Sequence, residues 1–381
     1  MGRAVIANFS TEGNELFSVP YAALPLQMLR VKAELVSAME RVLEHGRYIL
    51  GPEVQEFEER FAEYCGTKFA VGVSDGTAAL ILALRAIGIG PGHEVITTPH
   101  SFIASAACVA FLGARPVFVD VRQTDMNIDP DLIERAVTDR TKAILPVHLA
   151  GHPADMEPIL EIGARHGIPV IEDAAQSVGS AYRGRRTGSM GLIGCFSLHP
   201  LKNLHAYGDG GVITTNDRRI YEWLQKARNH GLRNRDESEF WSTNSRLDTL
   251  QAALLLVNLK HLDKWIEERR AIAAEYCASL KEIVEVPEEA PECFHTYQTF
   301  VIKAEKRTAL VEHLRGRGIE ALIHYPCPIP MQKAASSLGC RADDFPVTSS
   351  VCDRIVSLPL YSEMSLTQQK AVIDGVLSFY S

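Results

Sequence analysis

Between positions 68 and 215 short apolar runs alternate with segments of helical periodicity, and this alternation constrains the fold more than any other feature of the chain. The runs lie at 69–73, 94–98, 116–119, 143–147, 169–172, 194–197 and 211–215. They show little polar–apolar alternation, which is the pattern of strands covered on both faces. The spacing predicts helices over 77–87, 103–112, 130–137 and 155–166. Repeated strand–helix–strand units imply a mostly parallel sheet with helices on either side.

Outside that region the periodicity changes. An amphipathic helix is expected over 30–45, stopped by Gly46. A longer amphipathic pattern runs from 244 to 280, and 284–381 mixes strand-like runs (299–302, 319–324) with helical ones (308–317, 367–379). Pro326, Pro328 and Pro330 exclude regular structure there and suggest a rigid loop. The expected division is a segment and helix over 1–49, a large α/β domain over 50–260 and a small α+β domain over 261–381.

Composition narrows the function classes. A formal net charge of -8 with no basic patch argues against nucleic acid as a partner. No apolar stretch is long enough to span a bilayer, and no signal-like segment opens the chain, so neither membrane nor secretion is expected. The eight cysteines are dispersed without a C-x-x-C pair, as in a reduced cytoplasmic protein. His148 and His152 have metal-compatible spacing, but Gly151 and Pro153 put them in a loop, and no metal site is expected.

Two segments carry chemistry. Val170-Ile171-Glu172-Asp173-Ala174-Ala175-Gln176 reads as a buried strand delivering a carboxylate at its C-terminal end. Cys195 to Asn203 leads through Ser197 and Pro200 to the amine of Lys202. Ligands of open α/β sheets sit beyond the carboxyl ends of strands. An amine and a carboxylate delivered there suit pyridoxal phosphate: the amine forms a Schiff base with the aldehyde, and the acid holds the pyridine nitrogen protonated. An arbitrary lysine is a solvated surface residue, but Lys202 stands among apolar residues, where desolvation lowers its pKa.

Other residues fit the same site. Ala174 and Ala175 leave room for a flat ring, and Gln176 could donate to its phenolic oxygen. Gly76 and Thr77 follow a strand and open a helix, a phosphate cradle or simply a capped turn. Ser197 is placed to bond a phosphate. Phe102 can stack on a ring or fill a core. Asn244 serves as a helix N-cap if it has no other role. His230, His324 and Tyr325 are candidate substrate contacts, or structural hydrogen-bond partners.

Together these segments resemble the DegT/DnrJ/EryC1/StrS family of fold-type-I pyridoxal phosphate enzymes, mainly sugar aminotransferases. The resemblance rests on 48–54, Gly76-Thr77-Ala78-Ala79-Leu80, 90–96, 172–177, 196–211, His324-Tyr325-Pro326 and 357–360. It implies that Lys202 carries the cofactor and that Asp173 pairs with its ring nitrogen. Gln176 would lie near the ring oxygen, Phe102 on the ring face, and Gly76, Thr77 and Ser197 at the phosphate. Asn244 would reach the phosphate of a neighbouring subunit, which implies a homodimer with shared active sites. The implied reaction moves an amino group from L-glutamate to a keto sugar carried on a nucleotide, at C3 or C4, with 47–54 closer to relatives that aminate C3. Relatives acting on cyclitol ketones share these residues, and a regulatory protein that binds the cofactor without turnover would keep the fold. Dehydratases of this fold replace the lysine with histidine, and Lys202 separates the chain from them. The run Pro328-Ile329-Pro330-Met331-Gln332 lacks the histidine that many relatives place before the glutamine.

Overall fold

The computed structural model describes residues 17–381, so the expectation about a leader lies outside the described residues. Strands β1 (Phe69–Val73), β2 (Glu94–Thr97), β3 (Arg115–Phe118), β4 (Thr141–Leu145), β5 (Ile171–Asp173), β6 (Ile193–Ser197) and β7 (Gly211–Thr215) lie in the order β1-β7-β6-β5-β4-β2-β3. Parallel bridges Ile144–Val170 and Val147–Asp173 join the sheet between β4 and β5. Only β7 runs against its neighbours; the other pairings are parallel. All the parallel strands therefore end at one edge, where the ligand crevice of such a sheet forms.

The strands alternate between two helix layers. Val71, Val73, Ile193, Cys195 and Ile213 pack into a core with α3 (Gly76–Ala86), α4 (Ala104–Phe111) and α7 (Arg218–Ala227). Ala70, Phe196 and Val212 pack into another with α2 (Pro52–Cys65) and α8 (Thr249–Leu280). Further helices α5 (Pro130–Ala136) and α6 (Met156–His166) cover the β2–β4 side. Burial on both faces explains why the strand sequences lack alternation.

Several boundaries differ from the sequence reading. Helix α1 spans Leu24–His45, six residues longer than expected at its start, because Pro25 is accepted in a first turn. Its end at Gly46 is as expected: φ is 67° and the amide donates to Val42 O. Helix α2 was not anticipated; Gly51, Pro52 and Gly66 bound it. The 244–280 pattern is helical only from Thr249, since residues 244–248 are held extended by bridges Asn229–Asn244, Val73–Arg246 and Ile49–Asp248. Asp248, not Asn244, stands at the N-cap position. Residues 319–324 make only isolated bridges at Ile319 and Leu322.

Most of the remaining elements build a smaller layer. Antiparallel strands β8 (Phe300–Lys303) and β9 (Ile355–Leu358) pack with helices α9 (Arg307–Gly316) and α11 (Leu366–Tyr380), while α10 (Pro346–Arg354) runs into β9. Helix α8 crosses position 260 without a break. Ala253, Leu254 and Trp265 pack on α1, and Ala273, Tyr276 and Leu280 enter the smaller core. Val19 and Ala23 belong to that smaller core as well. Asp120, which follows β3, accepts the amides of Val347 and Thr348 at 2.9 Å each and so caps α10 across the two layers.

Candidate active site

Asp173 ends β5 at the ligand edge of the sheet, fully inside the protein. Oδ2 accepts from the Ser105 hydroxyl at 2.7 Å and Oδ1 from the Ala175 amide at 3.2 Å. Burial pushes the carboxyl above its usual range, while Ser105, Ala175, Lys202 and His148 oppose that shift. No helix follows Asp173, so its side chain is not a helix cap.

A buried pair sits directly behind it. Glu172 takes the amides of Gly188, Met190 and Gly191 at 2.7, 2.7 and 2.6 Å. It also accepts from His148 Nε2 at 3.0 Å; His148 Nδ1 accepts the Ala154 amide, which fixes the tautomer. Both side chains are completely buried. His148 is thereby committed to holding the β4–β5 strand ends. His152 packs edge-on against His295, with centroids 5.2 Å apart.

Lys202 lies in the loop after β6, with its amide bonded to His199 O at 2.9 Å. Part of its surface stays open, but the protein packs closely around its amine. Burial lowers its pKa to about 8 against the pull of Asp173. Strands β5 and β6 are parallel neighbours, so Asp173 at the end of β5 and Lys202 in the loop after β6 lie at the same edge of the sheet.

The residues expected at the phosphate also converge. Gly76 opens α3, capped by Asp75, whose carboxylate accepts the Ala78 amide at 2.8 Å. A Cβ at Gly76 would stand 2.7 Å from Ser197 Cβ and 3.3 Å from its hydroxyl. Thr77 is half-buried in the same first turn. Strand ends β1 and β6 therefore meet in a cradle that a side chain at 76 would fill.

Phe102 exposes 53% of its surface and lies 5.9 Å, centroid to centroid, from the Tyr325 ring. A ring left open at a ligand edge is suited to stacking, and the reading of Phe102 as core packing does not hold. Gln176 Oε1 accepts the Ala150 amide at 2.7 Å, which leaves Nε2 facing the site, 3.4 Å from Tyr325 Oη. His324 Nδ1 pairs with Ser357 Oγ at 2.9 Å. Burial and Lys202 lower its pKa to about 4. Burial raises the Tyr325 phenol, with Tyr21 and Asp173 adding to the effect.

Two expected residues lie elsewhere in this chain. His230 is exposed, and its backbone bonds stay within a hairpin, to Thr243 and Ser238. Asn244 is exposed on the same hairpin, near Trp241, which is 93% exposed.

Sequence reasoning missed Ser105 and His100. Ser105 reads as one small residue in the apolar α4; its proximity to Asp173 follows only from the order of strands. His100 is buried, and Nε2 accepts the Tyr325 amide at 3.4 Å. Its place in Pro99-His100-Ser101, before Phe102, was the available signal.

The residues present fit pyridoxal phosphate. A buried carboxylate, a partly desolvated amine, a glycine cradle and an open aromatic face surround one crevice. Comparisons agree. The model of the DegT/DnrJ/EryC1/StrS aminotransferase family matches residues 30–377. A Streptomyces venezuelae dTDP-3-amino-3,4,6-trideoxy-alpha-D-glucose transaminase is 44% identical, covering 94% of this chain and 95% of that one. The Pseudomonas aeruginosa UDP-2-acetamido-2-deoxy-3-oxo-D-glucuronate aminotransferase is 39% identical over 93% of this chain and 98% of its own. The crystal structure of S. venezuelae DesV with a ketimine intermediate superposes with a TM-score of 0.93 at 43% identity, covering 95% of this chain and 98% of that one.

Proposed function

The chain belongs to the DegT/DnrJ/EryC1/StrS aminotransferase family, and we propose that it moves an amino group from L-glutamate to a nucleotide-linked 3-keto sugar. Pyridoxal phosphate is its cofactor. The observation that carries the reading is the placement of Asp173 and Lys202 at one edge of the sheet, after the paired parallel strands β5 and β6.

When bound, the cofactor supplies a protonated ring that stabilises negative charge on the reacting carbon. Asp173 would hold the proton at the ring nitrogen. Gly76, Thr77 and Ser197 would hold the phosphate, Phe102 would cover the ring and Gln176 Nε2 would face its oxygen. The Lys202 amine, with a pKa of about 8, takes the proton from the donor's α-carbon and returns one to the sugar carbon. His324, with a pKa of about 4, stays neutral beside it.

Amination at C3 is supported by the names of the relatives, which carry 3-amino and 3-oxo sugars. We read the active form as a homodimer in the cytoplasm. Helix α1 leaves Leu26, Leu29, Val36, Met39 and Leu43 exposed at helical spacing, and Tyr48, Ile49 and Leu50 continue that face. Asn244 would reach the neighbouring subunit's phosphate from its hairpin. The cysteines of the described residues are all free, and no described helix is long and apolar enough to cross a membrane. We divide the chain into a segment and helix over 1–49, a large α/β domain over 50–260 and a small α+β domain over 261–381, with α8 running across the last boundary.

The test is spectral. L-glutamate should convert the bound cofactor's visible band to that of its amine form, and a dTDP- or UDP-linked 3-keto sugar should restore it. Restoration by a cyclitol ketone alone would move the substrate assignment; no response to any donor would end the transaminase reading.

A further inference from the structure

Beside the Lys202 loop lies a second cavity of about 40 Å³, walled by the 21–27 segment, the 200–203 loop and the 358–363 loop. Asn203 is 7% exposed and lines it. Neither Asn203 Oδ1 nor Nδ2 has a hydrogen-bond partner among the described residues. A buried amide left unpaired on both atoms is costly, and the cavity it lines offers room for a group that would pair it. Tyr361 lines the same wall, and its buried hydroxyl has no well-formed hydrogen bond among the described residues, although Gln368 stands close to it.

The charges around the cavity favour one class of ligand. Arg269 lines it, and its Nε and Nη2 donate only to backbone carbonyls, of Tyr297 at 3.2 and 2.9 Å and of Gln298 at 2.8 Å. No carboxylate of the described residues hydrogen-bonds this guanidinium. Glu363 also lines the cavity, but its Oε1 is held by Arg30 at 3.1 Å and Ser362 at 2.7 Å. Glu363 lies within reach of the Arg269 charge without hydrogen-bonding it, so the guanidinium remains free to bond an anion in the cavity.

We propose that this cavity binds a small carboxylate, with Asn203 Nδ2, the Arg269 guanidinium and the Tyr361 hydroxyl as donors. Its volume suits a carboxylate group and not a whole amino acid or a sugar. The group is either the carboxylate end of the amino-acid donor or a free small carboxylate acting on the Lys202 loop. The donor source rests on the transaminase reading above; affinity for a carboxylate does not.

The experiment is calorimetric titration of the cofactor-loaded enzyme with acetate, repeated on Asn203→Leu and Tyr361→Phe. Binding in the millimolar range, weakened at least tenfold by Asn203→Leu, is expected. Competition between acetate and L-glutamate in the donor half-reaction, with KM for glutamate raised in Tyr361→Phe and KM for the keto sugar unchanged, assigns the group to the donor. Non-competitive behaviour assigns it to a free effector. Absence of acetate binding overturns the proposal, as does binding that both variants leave unaltered. If Asn203→Leu does not fold, crystals of the parent enzyme soaked in acetate decide: carboxylate density at Asn203 supports the site, and water alone refutes it. Loss of the cofactor band before any titration would instead count against the transaminase reading.

Discussion

Ser105 donates its hydroxyl to Asp173 Oδ2 across 2.7 Å, from the second residue of α4 to the end of β5. The bond orients a carboxylate that burial would otherwise drive towards protonation. A second hydroxyl, of Ser101, stands 2.8 Å from that of Ser105 and extends the chain of bonds. A hydrogen bond to an ionised group is stronger than a neutral one, so this contact helps keep Asp173 ionised.

Asp173→Asn keeps the side-chain shape and removes the charge. Transamination should fall by about 10²–10³, the loss typical of one preorganised electrostatic group, measured in the donor half-reaction. The cofactor-free variant should melt no lower than the parent at neutral pH. The sign follows from the raised pKa of the buried carboxyl: its ionised form costs stability above the unfolded value, and that cost disappears as falling pH protonates it. The two melting temperatures should therefore converge in acid.

Capture of the cofactor by the apo-protein should depend on pH through Lys202. Its pKa is lowered to about 8, and only the neutral amine attacks an aldehyde. The rate, followed by absorbance, should rise about tenfold per unit below that value and level off above it. A rate still climbing at pH 10 would show an ordinary solvated lysine.

Gly76→Ala places a Cβ 2.7 Å from Ser197 Cβ. Backbone strain is not the cause, because position 76 is helical. The collision is with the neighbouring strand end, and relief by displacement costs about 1–3 kcal/mol. Affinity for pyridoxal phosphate should drop at least tenfold by equilibrium dialysis, while Gly90→Ala, which meets nothing within 4 Å, should bind it as the parent does.

Shared sites can be tested by mixing subunits. Lys202→Ala and Asn244→Asp homodimers should each be impaired, the first completely. Unfolding and refolding them together should restore activity, because one site of each mixed dimer has both native residues. No recovery, with mixed dimers confirmed by mass spectrometry, would place Asn244 outside the partner's site.

The strands and the two chemical residues were legible because their signals are local. Apolar runs flanked by helical periods mark strands wherever both faces are buried, as they are for β1, β6 and β7. Asp173 and Lys202 each follow such a run, so their place at the ligand edge came with the strand assignment. Helix α2 was less legible: its N-cap Gly51 makes no side-chain cap bond, and the turn before it reads as loop. The 244–248 stretch looked helical by pattern, yet pairing with Asn229, Val73 and Ile49 overrode it.

Sequence alone determined the layered α/β fold, the carboxylate at 173 and the amine at 202, since backbone period and residue type suffice for these. Tertiary structure decided which groups surround them. Ser105 reaches Asp173 across 68 positions, and Gly76 abuts Ser197 only because β1 and β6 flank the antiparallel β7. Pairings between distant segments depend on strand order and crossover path, and no local pattern encodes those.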